Sequence, residues 1–305
     1  MRKWICILGL LIFSANVLAQ EKTPFFKNAD TLNKKRIIGT GITMPLVYGG
    51  AVTALGTIWY QNNLTPKFQT FNDCSHWLGM DKMGHMTSTY YLSMIGHSAL
   101  KWSGVERKKA IGFGGLYGFV FVSTFEIFDG FSKDYGFSWC DLGANAIGSA
   151  LYMGQEFLWN EQRIKLKWSY WPTEYAQYRP NILGENWATR IFKDYNGQTY
   201  WLSANIHSFL PEDSKFPKWL NVAFGYSINE MLKSDTRHYE VQDGNNILRF
   251  DAYSEFYLSL DIDLTKIKVK SHFLRALFKT ISIIKIPFPA ISFSKHGVQG
   301  YWFKF

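Results

Sequence analysis

Asp81, Lys82 and His85 stand at the start of one apolar run, Glu126 and Asp129 at the end of another, and Ser138, Asp141 and Asn145 at the start of a third. Asp81 and His85 are four residues apart, Glu126 and Asp129 three, Asp141 and Asn145 four, so on helices each pair shares a face. Carboxylates gathered at low dielectric repel one another, and a buried one without compensation is costly. They need protons, a basic neighbour or a cation. Lys82, His85 and Lys133 are the bases available in sequence. A metal held by Asp81, His85, Glu126 and Asp141 would, by donor chemistry, be Mg²⁺, Mn²⁺ or Zn²⁺. In a catalytic reading His85 is the general base, and Asp81, Glu126 and Asp141 orient it or hold the metal. In a structural reading Asp141 after Ser138 caps a helix, Asp129-Gly130 makes a turn, and the remainder is a network of hydrogen bonds between helices. No paired-histidine metal motif, nucleophile elbow or phosphatase signature accompanies the cluster. His97, His207, His238 and His296 have no comparable company.

Helices must carry these pairs, and four apolar runs supply them, at roughly 37–60, 83–100, 110–125 and 142–159. The first is uncharged, rich in glycine and long enough to span a bilayer. In the others small residues recur at four-residue spacing, as in Gly114 with Gly118 and Ala144 with Gly148, which predicts close helix packing. If the runs alternate in direction, Lys34, Lys35, Arg36, Arg107, Lys108, Lys109, Arg163, Lys165 and Lys167 gather at one end. The polar pairs then gather at the other, where three helices can aim them at one point.

Met1-Arg2-Lys3, an apolar stretch and the small residues up to Ala19 read as a secretory signal peptide over 1–19, followed by a polar segment over 20–36. Cys6 lacks the small-residue context of a lipoprotein attachment site. Export allows Cys74 and Cys140 to pair, the alternative being two small buried thiols. Aromatic residues make up 18% of the chain against 19% charged, which suits contact with lipid or an aromatic-lined cavity. The formal charge of +9 suits an anionic partner such as lipid headgroups, and export argues against nucleic acid. A cleaved signal leaves Lys34, Lys35 and Arg36 outside the inner membrane, against the positive-inside bias. The outer membrane is therefore favoured, with a periplasmic bundle as the alternative.

From 161 to 305 the texture is aromatic, charged and partly alternating. Over 257–264, Leu258, Leu260, Ile262 and Leu264 fall on one face of a strand and Ser259, Asp261 and Asp263 on the other. Residues 199–206, 221–228 and 291–305 also read as extended, and 272–284 as an amphipathic helix. The closing Tyr301-Trp302-Phe303-Lys304-Phe305 is similar to the aromatic-ended last strand of outer-membrane proteins, but a full membrane barrel needs more strands than can be counted here.

The motifs Asp81-Lys82-Met83-Gly84-His85, Glu126-Ile127-Phe128-Asp129-Gly130 and the stretch 136–148 resemble the YfiM-like family of predicted periplasmic lipoproteins of unknown function. They also look like the wider VanZ-like pattern, in which an Asp-Lys-x-x-His helix start precedes a glutamate and then an Asp-x-x-x-Asn-x-x-Gly helix. The resemblance covers about 77–154 and places the family signature on Asp81, Lys82, His85, Glu126, Asp129, Gly136, Ser138, Asp141, Asn145 and Gly148. It implies an architecture and no settled reaction. The chain departs from the small family members in lacking their lipoprotein cysteine, and in carrying an extra first helix and a long C-terminal extension.

The expectation is an α+β protein: a membrane-associated, VanZ-like four-helix bundle over 37–160, then a strand-rich C-terminal region over 161–305. The expected function is binding or scaffolding of envelope lipid or glycan components through Asp81, Lys82, His85, Glu126, Asp129, Ser138, Asp141 and Asn145. A divalent cation is the cofactor the cluster suggests, and a membrane lipid, an envelope glycan or an envelope protein the partner. The alternatives are a metal-assisted enzyme acting on an envelope lipid or cell-wall precursor, and a purely structural envelope protein.

Overall fold

The computed structural model describes residues 24–59 and 64–304, so the expected signal peptide at 1–19 lies outside the described residues. Among the described residues four long helices come first: α1 (Lys34–Trp59), α2 (Met80–Trp102), α3 (Arg107–Gly130) and α4 (Trp139–Trp159). Helices α2, α3 and α4 alternate in direction and meet backbone to backbone where glycine permits it. A Cβ on Gly96 would lie 2.2 Å from the Gly114 carbonyl oxygen, one on Gly118 2.4 Å from that of Thr89, and one on Gly148 2.1 Å from that of Met86. The four-residue spacing of Gly114 and Gly118 thus marks the crossing of α2 and α3, and Gly148 the crossing of α4 with α2.

Helix α1 behaves differently. A Cβ on any of Gly39, Gly41, Gly49, Gly50 or Gly56 would meet nothing within 4 Å, and Ile38, Ile42 and Leu46 are exposed. It is held by polar contacts: Thr40 Oγ1 with Ser103 Oγ at 2.9 Å, Tyr48 OH with Thr124 Oγ1 at 2.8 Å, and Tyr117 OH donating to the Met44 carbonyl at 3.3 Å. The expected four-helix bundle is therefore a close-packed core of three helices with a fourth laid along it. The reason is sequence-local, because the glycines of α1 face no neighbouring backbone.

After α4 come β1 (Ile164–Tyr170), the short helices α5 (Pro180–Leu183) and α6 (Trp187–Lys193), β2 (Gln198–Asn205), β3 (Leu220–Asn229) and the hairpin β4 (His238–Asp243) with β5 (Asn246–Asp251). The chain ends with β6 (Tyr253–Ile262), the amphipathic α7 (His272–Ile281), β7 (Phe288–Ser294) and β8 (Gly297–Lys304). Six strands form one antiparallel sheet in the order β1-β2-β3-β6-β7-β8. The alternation expected in β6 is present, and it is the polar side that is buried. Ser259 and Asp261 are at most 5% exposed, whereas Leu258 and Leu260 are 48% and 42% exposed.

Helices and sheet share apolar cores. Tyr90, Tyr91 and Met94 of α2 and Tyr152 of α4 pack with Leu166 of β1, and the Tyr91 hydroxyl donates to the Leu166 carbonyl at 2.6 Å. Met80 at the start of α2 packs with Tyr200, Ile228 and Met231. These contacts run α2 along the sheet, with its first turn beside the C-terminal end of β3 and its middle turns beside the N-terminal end of β1.

Candidate functional site

The first turn of α2 is set by an unusual approach. Trp77 and Leu78 have φ of 50° and 51° and Gly79 has φ of 83°, three successive left-handed residues before Met80. For the two non-glycine residues this conformation costs roughly 1–3 kcal/mol each and persists only where surroundings enforce it. The C-terminal region does so: Trp77 N donates to the Ser234 carbonyl at 2.8 Å, and Tyr226 OH to the Leu78 carbonyl at 2.6 Å. The sheet and its loops therefore fix the direction in which Asp81 and His85 leave α2.

The α4 side is set by Ser138, whose Oγ accepts from Asp141 N at 3.0 Å as the helix N-cap. The same hydroxyl donates to Asp73 Oδ1 at 2.5 Å. A disulfide between Cys74 and Cys140, with Cα atoms 5.4 Å apart, ties the loop carrying Asp73 to this helix start. The cap and the covalent link, the latter one of the two alternatives for Cys74 and Cys140, thus serve the position of Asp141.

Lys82 is the hub. Its Nζ lies 2.8 Å from Asp73 Oδ2, 3.0 Å from Asp81 Oδ2 and 2.9 Å from Asp141 Oδ1. His85 lies beside it, with Nε2 3.8 Å from Asp81 Oδ1 and 3.9 Å from Asp141 Oδ1, and with Nδ1 3.1 Å from Asn145 Oδ1 and 3.6 Å from Glu126 Oε1. Asn145 is fully buried, accepts from Thr89 Oγ1 at 3.1 Å and donates to Ser123 Oγ at 3.4 Å. Tyr195, from the loop before β2, donates its hydroxyl to Asp81 Oδ1 at 3.0 Å.

The cluster forms part of the wall of a cleft of about 600 Å³, whose rim adds Asp129, Asp134, Asp235, Trp77 and Tyr135. Burial dominates its electrostatics. Glu126, 2% exposed, is pushed up to about 9 by desolvation and then by the charges of Asp141, Asp129 and Asp81. Asp141 is pushed up to about 6 by desolvation and by Asp81, against the opposing pull of His85 and Lys82. For Asp73, burial acts upward but its bonds to Lys82 and Ser138 prevail and lower it, while the surrounding carboxylates raise Lys82 despite its desolvation. Three carboxylates on one ammonium leave two formal negative charges, those of Asp73, Asp81 and Asp141 against Lys82.

Asp81, His85 and Asp141 each offer a ligand atom within 4.8 Å of the others, a spacing from which modest side-chain rotation reaches a common metal. Glu126 stands next to that set on the His85 side. The structure thus brings together Asp81, Lys82, His85, Glu126, Ser138, Asp141 and Asn145, and puts Asp129 on the cleft wall. Lys133 is exposed on the α3–α4 loop. His97 is buried against Tyr152, 2.8 Å away, apart from the cluster. Asp73 and Tyr195 were not visible as site residues in the sequence, because each arrives from a loop without periodicity. Only the neighbouring Cys74 hinted at Asp73.

Residues 70–154 match a protein family described as predicted periplasmic lipoprotein (DUF2279). The match contains both cysteines and every helical residue of the cluster, and it leaves out α1, the sheet and Tyr195. The VanZ-like part of the resemblance has no counterpart in the comparisons. No curated protein and no solved structure matches the chain.

Proposed function

We propose that this relative of predicted periplasmic lipoproteins is an envelope protein whose acidic cleft holds a divalent cation, and through it the anionic headgroup of an envelope lipid or glycan. The observation that carries the reading is the convergence of Asp81, His85 and Asp141 within 4.8 Å at a cleft wall with two formal negative charges in excess. The excess of Asp73, Asp81 and Asp141 over Lys82 would repel a bare phosphate or carboxylate, so an anionic headgroup needs a metal between it and the protein. Two carboxylates with one imidazole favour Mn²⁺ or Zn²⁺ over Mg²⁺. The test is elemental mass spectrometry and Mn²⁺ or Zn²⁺ titration of the purified protein beside an Asp81→Ala, His85→Ala variant shown to be folded. A near-stoichiometric metal lost in the variant is expected. A protein that takes up no metal, and whose variant only melts earlier, returns the cluster to a polar lock between helices.

One observation favours a second reading, hydrolysis of an envelope lipid or cell-wall precursor. Glu126 and Asp141 hold protons over different pH ranges, near 9 and 6, on either side of His85, and such divergence separates an acid from a base. Turnover of a phosphate-containing lipid, abolished by Glu126→Gln with metal uptake intact, would establish it. Binding without turnover would remove it.

A further inference from the structure

The six-stranded sheet is built inside out. Its concealed face carries a small aromatic cluster of Trp201, Ala223 and Tyr257 and, beside it, ion pairs, Lys165 with Asp263 at 2.5 Å and Lys167 with Asp261 at 2.6 Å, with all four charged side chains at most 6% exposed. Ser203 Oγ donates to Asp261 at 2.7 Å, and Asn221 Nδ2 to Ser203 Oγ at 2.9 Å, so Asp261 sits in a hydrogen-bonded network, while Asp263 bonds through Oδ1 and its Oδ2 is buried without a partner. The sheet curls round this network. Trp168 N of β1 donates to the Ile283 carbonyl at 2.7 Å and Lys285 N to the Trp168 carbonyl at 3.0 Å, and residues 283–285 lead into β7. Strands β1, β2, β3, β6 and the approach to β7 thereby close on themselves at one end.

The outer face is apolar. Leu202, Phe224, Leu258 and Ile291 form one paired row across four strands, flanked by Phe256, Leu260 and Phe293, and all seven are 42–51% exposed. Folding in water puts hydrocarbon inside, because burial there removes it from water. Ion pairs within and hydrocarbon without is the arrangement of strands surrounded by lipid, with residues alternating between the two. The exposure is not confined to one contact-sized patch. Exposed apolar residues also stand on α1, at Ile42 and Leu46, and on α7, at Phe273 and Leu277. Lipid can cover apolar residues on several elements at once.

Charge points the same way. The pairing of Leu220 with Ile262 puts the β2–β3 and β6–α7 loops at one end of the sheet, where Lys215, Lys218, Lys268 and Lys270 are exposed. The acids Glu212 and Asp213 share that end. Beyond β6, α7 has Arg275 exposed next to its apolar residues, the composition of a helix lying at a headgroup boundary. We propose that the outward face of β2, β3, β6 and β7 lies in the acyl region of a bilayer, with this basic end among anionic headgroups. The proposal is independent of the cleft, which lies at the opposite end of the sheet.

The test places spin labels on cysteines substituted singly at Phe224, Leu258 and Ile291, and at Gln242 in the β4–β5 hairpin as an aqueous reference, with Cys6 replaced by serine. The full chain is reconstituted in phosphatidylethanolamine–phosphatidylglycerol vesicles, and collision with lipid-soluble oxygen is compared with collision with a water-soluble nickel chelate. The sheet labels should show a several-fold higher oxygen-to-nickel ratio than the hairpin label. A ratio equal to that of the hairpin would place the face in water, and protection from both reagents would place it under protein, a second copy or another partner. Either result overturns the proposal. Flotation of the unmodified protein with the same vesicles after a carbonate wash guards against label damage, and recovery in the soluble fraction would overturn it equally.

Discussion

Lys82 is the residue on which the cleft turns. One ammonium meets three carboxylates, with its side chain 15% exposed, so removing it leaves like charges facing one another in a poorly solvated wall. Lys82→Met should lower stability by about 3–5 kcal/mol, the range for stranding a buried charge, and Mn²⁺ or Zn²⁺ should restore part of that loss. Denaturant melts with and without metal decide it, and a loss that metal leaves untouched would count against a cation site. The pH dependence has a definite sign. Asp141 and Glu126 have folded values raised above their ordinary 3.8 and 4.5, so the folded state binds the extra protons. Their stabilising contribution is complete below about pH 4 and is lost as pH rises through about 6 for Asp141 and about 9 for Glu126. Asp73 works oppositely, since its lowered value gives stability that disappears in acid. Metal binding needs the ionised carboxylate. The thermal shift produced by Mn²⁺ should therefore be larger at pH 8 than at pH 5, and equal shifts would remove Asp141 from the ligand set.

At the scale of elements, the helical spacing in the sequence foretold more than the strand pattern did. Pairs such as Asp81 with His85 and Asp141 with Asn145 were legible because a helix places residues four apart on one face, and glycines at the same spacing marked where backbones meet. The left-handed turn at Trp77 and Leu78 was not legible, since neither residue favours it and tertiary bonds from Ser234 and Tyr226 impose it. The strand over Tyr253–Ile262 was legible as alternation, but period two says nothing about which face is buried. Asp73 and Tyr195 reach the site through loop geometry, which leaves no periodic trace. Gly148 tests the helix crossing directly. A methyl there would press on the Met86 carbonyl one residue from His85, and backbone on one side and helix on the other leave little room to yield. Gly148→Ala should cost about 1–3 kcal/mol, the usual range for overpacking, and should also weaken metal uptake, because α2 and α4 hold its ligands. Ala at the open Gly143, where nothing lies within 4 Å, should do neither. Chemical denaturation of the two variants separates packing from composition.

Over the whole molecule, chain direction sorts charge along one axis. Helices α2 and α4 begin, and α3 ends, beside the acidic cleft; the end of α4 meets the β2–β3 loop through Trp159 and Phe209, at the sheet end that carries Lys215, Lys218, Lys268 and Lys270. Of the basic end expected from the helices, Lys165 and Lys167 are instead buried in ion pairs and Arg36 is buried, so the exposed lysines of the sheet loops supply the basic pole opposite the acidic cleft. A protein with that distribution should bind anionic bilayers in two separable parts, an apolar part indifferent to salt and an electrostatic part screened over about 10 Å at 0.1 M salt. Each lysine near an anionic surface contributes about 1 kcal/mol. Replacing both exposed lysines, Lys268→Gln and Lys270→Gln, should therefore weaken binding to phosphatidylglycerol-containing vesicles about tenfold or more. Binding to neutral phosphatidylcholine vesicles should not change, and the difference between variant and parent should fade at 1 M salt, where screening is complete within about 3 Å. Vesicle co-flotation across a lipid titration reads all three. An equal loss on neutral and anionic vesicles would mean that the lysines support the fold of the β6–α7 connection and do not touch headgroups, and the basic pole would then need another partner.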